Sequence, residues 1–387
     1  MEYALSELFT LQMGKTPSRD NSSYWRKSEN NWISIADLTN SGKYISNTKE
    51  TLSDSAVAES GIKKIPANTV IMSFKLSLGK VAITEKEMYS NEAIMAFIDK
   101  GVEKISPEYL YYLLRAKDWS KGTNKAVMGA TLNKATLSTI KIQLHEYDNQ
   151  LEIVNMLNRV SSSIDFRKQQ LTKLDELIKA RFVEMFGNFV YELDRWSTCE
   201  IGDVADTIDP QPSHRTPPVS LDGIPYIGIA ECNYQTRKIA FKSARKVGKD
   251  VLKEHKNRYT LNDGDFIIGK IGTIGKPFFL PTDCDYTLSA NTVLIKPQKD
   301  KISPRFLFAI FESEYMDRII DAEKKSTSQP AFGIQKVRSI EIPLPPLSLQ
   351  NQFAAFVAEV DKSKVEVQKA LDQTQLLFDS LMQQYFG

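Results

Sequence analysis

A glycine- and lysine-rich stretch around residue 270 contains the residue types that could bind a phosphate group. Residues 269–276 read GKIGTIGK. A P-loop ending on this Gly-Lys pair would need Gly at position 270 and Ser or Thr at position 277, where Lys270 and Pro277 stand. The spacing of a G-x-G-x-x-G dinucleotide loop is absent as well. The pattern instead predicts a strand, a turn and a second strand, with glycine supplying a positive φ or a close backbone approach.

Other constellations typical of catalysis are also missing from the sequence. His145, His214 and His255 have no metal-ligand spacing, either with one another or with the cysteines. There is no G-x-S-x-G elbow, and no Asn/Asp-Pro-Pro-aromatic run of the kind that amino-methyltransferases use. Carboxylate pairs such as Asp283 and Asp285 lie in turn-like sequence, which is typical of solvated loops. The sequence therefore predicts no metal site, and no active site is visible in it.

Positive charge is concentrated locally and is not spread over the chain. The 387 residues contain 50 Lys+Arg and 48 Asp+Glu, which excludes a uniformly basic nucleic-acid coat. Basic residues cluster within 237–258 and again within 115–141, with few acidic residues among them. Phosphate binding requires such local charge, so these stretches indicate nucleic-acid contact; a solvated face is the alternative.

The sequence features that bear on location favour the cytoplasm. The three cysteines, Cys199, Cys232 and Cys284, are scattered and odd in number, which argues against a disulfide framework and for a reducing compartment. The first residues have no basic and apolar signal-peptide pattern. No stretch of about 18 apolar residues is present that could span a bilayer.

The chain contains an internal repeat with a period close to half its length. Phe186-Gly187 recurs as Phe386-Gly387, 200 positions later, and the run 140–144 matches 340–344 at the same offset. Upstream matches keep their order while the offset falls: 105–110 matches 302–307, and 32–36 resembles 226–230. Ordered matches of this kind predict a tandem duplication of one unit, consisting of a mixed domain followed by a long helix.

Each repeat ends in an apolar pattern typical of a long helix. From Leu349 to Tyr385 apolar residues alternate spacings of four and three, and the first copy keeps this heptad seam from Ile153 to Met185 with interruptions at Arg167 and Arg181. A helix with one apolar seam needs a partner, and the other copy is the obvious one. If a pseudo-twofold relates the halves, the two helices form an antiparallel coiled-coil spacer.

The domain that precedes each helix mixes short strands with helical pieces. Residues 69–73 and 265–269 are apolar runs of strand length that follow turn signals. Residues 109–114 and 306–311 indicate helices that begin at a Ser-Pro pair. The predicted class is α+β, with globular domains at 1–145 and 188–345 (the latter including a linker) and spacer helices at 146–187 and 346–387.

The opening of the chain resembles a known family. Residues 14–19 read GKTPSR, Tyr24-Trp25 follows, and residues 32–38 read WISIADL. This is similar to the start of a target recognition domain in the specificity subunit of type I restriction-modification enzymes. The PLPPL run at 343–347, leading to Gln350, resembles that family's boundary into its helical spacer. The corresponding run at 143–147 reads QLHEY, and the second opening at 210–217 reads PQPSHRTP, so both depart from the family pattern.

The resemblance implies a non-catalytic, DNA-binding subunit that carries no cofactor of its own. In that family each recognition domain reads one half of a bipartite double-stranded DNA site, while the helices set the gap and dock two modification subunits. Those partners bind S-adenosylmethionine and methylate adenine, and restriction subunits add ATP- and Mg-dependent cleavage. The architecture implied here is two globular target recognition domains separated by two long antiparallel helices.

Loop residues with basic or hydrogen-bonding side chains are the candidates for DNA contact, because Lys and Arg neutralise phosphates and polar side chains read base edges. The first-copy candidates are Lys15, Thr16, Ser18, Arg19, Ser73, Lys75, Ser77, Lys80 and Thr131. The second-copy candidates are His214, Arg215, Thr216, Lys270, Thr273, Lys276, Ser328 and Gln329.

Two other classes of function remain open at this point. One is a self-contained DNA methyltransferase or nuclease with an unrecognised active site, which would modify DNA without partners. The other is a coiled-coil adaptor that binds proteins only, which would not bind DNA even when its partners are added.

Overall fold

A computed structural model describes residues 1–26, 30–75, 77–119, 124–126, 129–211, 215–234, 236–326 and 332–387. The chain divides into two compact units, residues 1–168 with 369–387 and residues 169–368. Each unit contains one mixed domain and part of each of two 40-residue helices.

The first unit holds the N-terminal domain. Its strands are β1 (Glu2–Ala4), β2 (Phe9–Met13), β3 (Asn30–Ile33), β4 (Tyr44–Ile45), β5 (Glu50–Leu52), β6 (Val70–Ser73), β7 (Val81–Thr84), β8 (Tyr89–Ser90), β9 (Ile94–Asp99), β10 (Asn124–Ala126), β11 (Gly129–Thr131) and β12 (Lys141–Gln143). Its helices are α1 (Leu5–Leu8), α2 (Ile35–Asn40), α3 (Asp54–Ser60), α4 (Pro107–Ala116) and α5 (Lys134–Thr139). The long helix α6 (Tyr147–Phe186) begins in this unit.

A five-stranded sheet in the order β2-β9-β6-β7-β4 forms the centre of this domain, and a three-stranded sheet in the order β5-β3-β8 lies beside it. Strand β6 pairs with β7 and with β9. It is buried along its whole length because Val70 and Met72 pack into one apolar core and Ile71 packs into another. Helix α4 begins at Pro107, where the missing N–H is not needed, and its apolar side chains join the main core. The predicted strand at 69–73 and the predicted Ser-Pro helix are both confirmed.

The second unit repeats this arrangement. Its strands are β13 (Thr198–Glu200), β14 (Ala205–Ile208), β15 (Val219–Ile227), β16 (Cys232–Asn233), β17 (Lys238–Ile239), β18 (Lys246–Val247), β19 (Phe266–Gly269), β20 (Pro277–Phe279), β21 (Thr287–Leu288), β22 (Thr292–Pro297) and β23 (Glu341–Pro343). Its helices are α7 (Ile201–Val204), α8 (Lys249–Arg258), α9 (Pro304–Phe311), α10 (Glu314–Ser326) and α11 (Ile334–Arg338). The long helix α12 (Leu347–Phe386) begins in this unit.

The strand order of the second unit confirms the tandem duplication. Its larger sheet runs β14-β22-β19-β20 and matches β2-β9-β6-β7, and its smaller sheet β18-β15-β21 matches β5-β3-β8. The pair β13–β23 repeats the pair β1–β12. Even single backbone bonds recur: Leu144 N donates to Met1 O, and Leu344 N donates to Ser197 O.

The two long helices pair antiparallel within each unit. In the first unit Tyr385 Oη contacts Met156 Sδ, and Arg167 donates to Thr374, so one residue number rises as the other falls. In the second unit the Asp175–Lys364 ion pair and the Phe182–Phe353 ring contact run in the same sense. At about 1.5 Å per residue, each 40-residue helix is about 60 Å long.

The buried stripe at the start of α6 differs from the predicted heptad seam, although Met156 still contacts Tyr385 of the partner helix. Met156, assigned to the seam by its spacing, is 43% exposed, whereas Leu157 is fully buried. This turn of α6 packs into the core of its own domain together with Ile153 and Val154, so the buried stripe there includes the face toward the domain. Among the described residues, no helix is both long and apolar enough to cross a membrane.

Candidate nucleic-acid interface

The opening segment that follows β2 lies against the turn between β8 and β9. Gly14 N donates to Ile94 O at 3.1 Å, and Lys15 N donates to Ser90 O at 2.8 Å. A Cβ at position 14 would lie 2.2 Å from the carbonyl oxygens of both Ser90 and Asn91. The glycine of the GKTPSR motif is therefore required by this close approach, and it places Lys15 and Thr16 beside the turn.

Two tryptophans of the opening motif hold this segment in place. Trp32 Nε1 donates to Lys15 O and Trp25 Nε1 donates to Ser18 O, each at 3.0 Å. The Arg19 guanidinium carbon lies 3.5 Å from the Trp25 ring centroid. The same guanidinium forms a two-pronged ion pair with Glu50 at 2.6 and 3.0 Å. Arg19 is thus stacked and orientated, with half of its side chain exposed.

An acidic residue that the sequence argument missed lies among these candidates. Thr16 Oγ1 donates to the Glu92 carboxylate, and this bond lowers the pKa of Glu92 below its ordinary value. Burial acts in the opposite direction, while the charges of Lys75 and Arg19 lower the pKa further. Glu92 therefore joins the opening segment to the β8–β9 turn. Carboxylates do not bind phosphate, so Glu92 was not among the predicted residues. Its position in a turn between two apolar runs was the one signal for it in the sequence.

The turn between β6 and β7 is closed by Ser73. This buried hydroxyl donates to Ser77 O and accepts from Lys80 N at 3.0 Å. Gly79 completes the turn with φ = 76°, which confirms the predicted need for a positive φ. Ser73 therefore holds the turn and does not face solvent, whereas Ser77 and Lys80 are exposed. Lys75 is partly buried, with its ammonium 5.3 Å from the Phe74 ring centroid.

The corresponding turn in the second unit is the glycine-rich stretch at 269–276. Gly272 and Gly275 have φ of 78° and 73°, so the stretch is a strand–turn–strand as predicted. Lys270 N donates to Asn291 O as Phe74 N donates to Ala93 O, which makes Lys270 the counterpart of Phe74 and not of Lys75. Thr273 and Lys276 are exposed on this turn.

Lys270 is buried and is not a solvent-facing candidate. Its ammonium lies 2.9 Å from Asp209 Oδ2 and donates to Ala290 O at 3.0 Å. The side chain is 11% exposed. A buried charge needs such a partner, and breaking the pair would leave an uncompensated ion. Lys270 therefore ties the second opening segment to the β19–β20 turn.

The second opening segment is held by a tyrosine where the first is held by a tryptophan. Tyr226 Oη donates to Gln211 Oε1 at 2.6 Å and accepts from Ala290 N at 3.1 Å. Arg215 and Thr216 follow and are exposed. His214, Ser328 and Gln329 lie outside the described residues. Thr131 ends strand β11, whose partner is β10.

The described residues contain no group of three or more His, Cys, Asp and Glu side chains that could hold a metal ion. The two described histidines have structural contacts: His145 Nδ1 lies 2.8 Å from Tyr109 Oη, and His255 is buried beside Tyr259. The exposed candidates on the opening segments and on the β6–β7 and β19–β20 turns instead lie at one end of the main sheet in each unit, where these strands end.

Each copy is an α+β domain with polar turns at one end of its main sheet, followed by a long helix, and this arrangement defines a tandem-repeat protein. The family model described as "Type I restriction modification DNA specificity domain" matches residues 1–176 and 194–374. The chain belongs to this family.

Relatives and solved structures agree with this assignment. The type I restriction enzyme MjaIX specificity subunit of Methanocaldococcus jannaschii is 24% identical over 392 residues, covering 95% of this chain and 88% of the relative. The HindI specificity subunit of Haemophilus influenzae is 29% identical over 189 residues, covering 46% of this chain and 40% of that one. The type I S subunit structure from M. genitalium aligns with 99% of this chain and 94% of its own, at 13% identity and a TM-score of 0.54. This last likeness supports the fold.

Proposed function

We propose that this chain is the specificity subunit of a type I restriction-modification complex and reads a bipartite, asymmetric DNA site. Domains 1–145 and 188–345 each read one half-site, and helices 146–187 and 346–387 set the gap between the two. The observation that carries the proposal is that equivalent turns in the two units present different side chains. Glu92 corresponds to Ala290, and Lys75 corresponds to Ile271. Unlike surfaces on one framework are suited to unlike half-sites.

The proposed contacts are basic and hydrogen-bonding residues of the two domains. In the first unit they are Lys15, Thr16, Ser18, Arg19, Lys75, Ser77, Lys80 and Thr131. In the second unit they are His214, Arg215, Thr216, Thr273, Lys276, Ser328 and Gln329. Lysines and arginines would neutralise phosphates, while hydroxyl and amide groups would read base edges. Ser73 and Lys270 support the turns from within.

The proposed partners are two modification subunits, and restriction subunits in the complete system. The long helices carry exposed apolar side chains suited to such docking: Phe166 and Leu376 in the first unit are 61% and 69% exposed, and Val365 in the second is 52% exposed. S-adenosylmethionine, ATP and Mg would be bound by the partners, and none by this chain. The complex would act in the cytoplasm, where its DNA substrate lies.

A domain exchange tests the division of labour. Residues 1–145 are replaced by the corresponding domain of another family member, and methylated sites are mapped in cells that also express the modification subunit. The expected result is a new sequence in one half of the methylated site, with the other half unchanged. An unaltered site, or a change in both halves, would contradict the proposal.

A second experiment separates this proposal from a self-contained enzyme. The purified chain is incubated with DNA and S-adenosylmethionine, or with DNA and Mg²⁺, without partner subunits. We expect neither methylation nor cleavage until the partners are added. Activity of the chain alone would establish an active site within it.

A further inference from the structure

Helix α8 of the second unit presents a row of lysines on one face. Lys249, Lys253 and Lys256 follow one another at spacings of four and three residues, which places them on the same side of the helix, and all three are exposed. The opposite side carries the partly buried Val251, and His255, which is 2% exposed, also lies away from the row. The orientation of the row toward solvent is therefore fixed by packing.

The lysines of this row repel one another. Like charges four residues apart on a helix destabilise it. Among the described residues, Lys256 pairs with Asp285 at 2.8 Å, and both side chains are more than half exposed, so water and salt screen this pair. A polyanion such as a DNA strand would relieve the repulsion between neighbouring lysines.

The position of α8 places this row beside the second opening segment. Helix α8 directly follows β18, in which Val247 pairs with Val219 of β15. The Arg245 guanidinium donates to Pro217 O at 2.6 Å, one residue after the exposed Thr216. The Lys249 end of the row therefore lies near the part of the second unit that is proposed to read DNA.

The fold does not require positive charge at this position, as the first unit demonstrates. Helix α3 is the counterpart of α8. Helix α3 follows β5, which pairs with β3, and α8 follows β18, which pairs with the equivalent strand β15. Helix α3 also lies beside its opening segment, since the Lys15 ammonium donates to Ser60 O. Its charged residues are Asp54 and Glu59, and it contains no basic residue. The lysine row is thus a specific property of the second unit.

We propose that the Lys249–Lys253–Lys256 row binds the phosphate backbone of duplex DNA flanking the half-site of the second unit. The inference rests on the proposed function and adds an asymmetry to it. The second unit supplies a sequence-independent, salt-sensitive grip at a position where the first unit carries acidic side chains. Replacing the row weakens binding to all sequences alike and leaves the preferred sequence unchanged.

The test measures the affinity of the full chain, assembled with its modification subunits, for a random-sequence duplex over a series of salt concentrations. Each phosphate contact contributes about 0.9 to the slope of log K against log salt. The triple variant K249Q/K253Q/K256Q is expected to lower this slope by about 2 to 3, and K253Q alone by about 0.9. The triple arginine variant keeps the charge and is expected to keep the slope.

A matched control replaces two exposed lysines of the same unit, Lys299 and Lys301, with glutamine. Both lysines follow the last residue of β22, Pro297, which pairs with Ala205 at the start of β14. The opening segment follows the other end of β14, so the two lysines lie at the opposite end of the sheet. This variant is expected to keep the wild-type slope. Equal thermal unfolding midpoints for all variants show that the comparison concerns charge and not folding.

The possible failures are distinguishable. If the wild-type complex binds no DNA, the proposed function fails. If the wild type binds with a steep salt slope and K249Q/K253Q/K256Q keeps that slope, the inference about α8 is overturned and the proposed function stands. If the triple variant keeps its DNA slope and loses its modification subunits, the row binds an acidic protein surface, which also overturns the inference.

Discussion

The side-chain oxygen of Gln150 accepts a hydrogen bond from the backbone N–H of Ser106 at 3.0 Å. Gln350 accepts the same bond from Ser303 in the second unit at 2.9 Å, and both glutamines are almost completely buried. Each glutamine lies in the first turn of a long helix, and each serine precedes the first residue of α4 or α9. The same polar bond therefore joins the domain to its helix in both units.

Replacing Gln150 with alanine is expected to destabilise the first unit. The buried Ser106 N–H would lose its partner, and the Gln150 amide would no longer donate to His145 O at 3.0 Å. An unsatisfied buried donor costs about 1–3 kcal/mol, so urea unfolding should show a loss of this size. The matched control is Asn149→Ala at the exposed neighbouring position, which should change stability little. Equal stability of the two variants would show that this bond does not hold the helix.

Replacing Gly275 with alanine is expected to damage the β19–β20 turn. The residue has φ = 73°, and a Cβ would lie 2.1 Å from Ile320 Cδ1. Backbone strain of this kind costs about 1–3 kcal/mol, and displacing Ile320 adds to it. Urea unfolding measures the loss, and methylation mapping should show weakened recognition of one half-site. Gly42→Ala is the control, because no atom lies within 4 Å of its Cβ position. A fully stable Gly275→Ala chain would contradict the turn geometry.

The second unit is expected to lose stability as the pH falls below neutrality, because of His255. Burial lowers the pKa of this imidazole, Glu254 opposes the shift and Arg258 supports it. Below the ordinary histidine value near 6.5 the unfolded chain gains a proton that the folded chain does not. Stability therefore falls, by up to about 1.4 kcal/mol per pH unit, until the folded pKa is reached.

His255→Gln removes this titration, so the unfolding free energy of the variant should depend less on pH between neutral and mildly acidic conditions. The exposed Asn257→Ala variant is the control and should keep the wild-type profile. The interpretation fails if His255→Gln and wild type lose stability in parallel as the pH falls.

Replacing Glu108 with glutamine is expected to loosen the first domain on its helix. The carboxylate accepts from Tyr44 Oη and Asn158 Nδ2, each at 2.6 Å, and pairs with Lys43. Burial raises the pKa of Glu108, but the hydrogen bonds from these three partners outweigh it and lower the pKa overall. Hydrogen bonds to charged groups contribute about 1.5–3 kcal/mol, so a loss of this order is expected in urea unfolding.

The exposed Glu85→Gln variant provides the comparison for Glu108. The second unit has the reversed charge at the equivalent place, where Arg305 pairs with Asp361. In the first unit Asn158 of α6 links the Lys43–Glu108 pair to the helix by hydrogen bonds, whereas in the second unit the ion pair itself joins α9 to α12. If Glu108→Gln is no less stable than Glu85→Gln, the network around Lys43 does not fasten the domain.

Local features could be predicted from the sequence because their physical causes are local. The repeat, the long helices and the strand–turn–strand at 269–276 follow from periodicity, proline placement and glycines that supply a positive φ. The α+β class and the duplicated order of elements follow from the same patterns. The opening motif could indicate the family because its residues have local roles: Gly14, Trp25 and Trp32 each hold the same short segment in place.

The exposure of individual side chains was decided by the tertiary structure, since it depends on contacts between residues far apart in the chain. Lys270 was predicted to contact DNA, yet Asp209 and Ala290 approach its ammonium from other segments and its side chain is buried. Glu92 joined the candidate surface because the opening segment folds back onto its turn. Leu157 replaced Met156 in the buried stripe because the helix packs against its domain as well as its partner helix. Residue type and spacing define what a side chain can do, and only the packing of distant segments determines which side chains remain accessible.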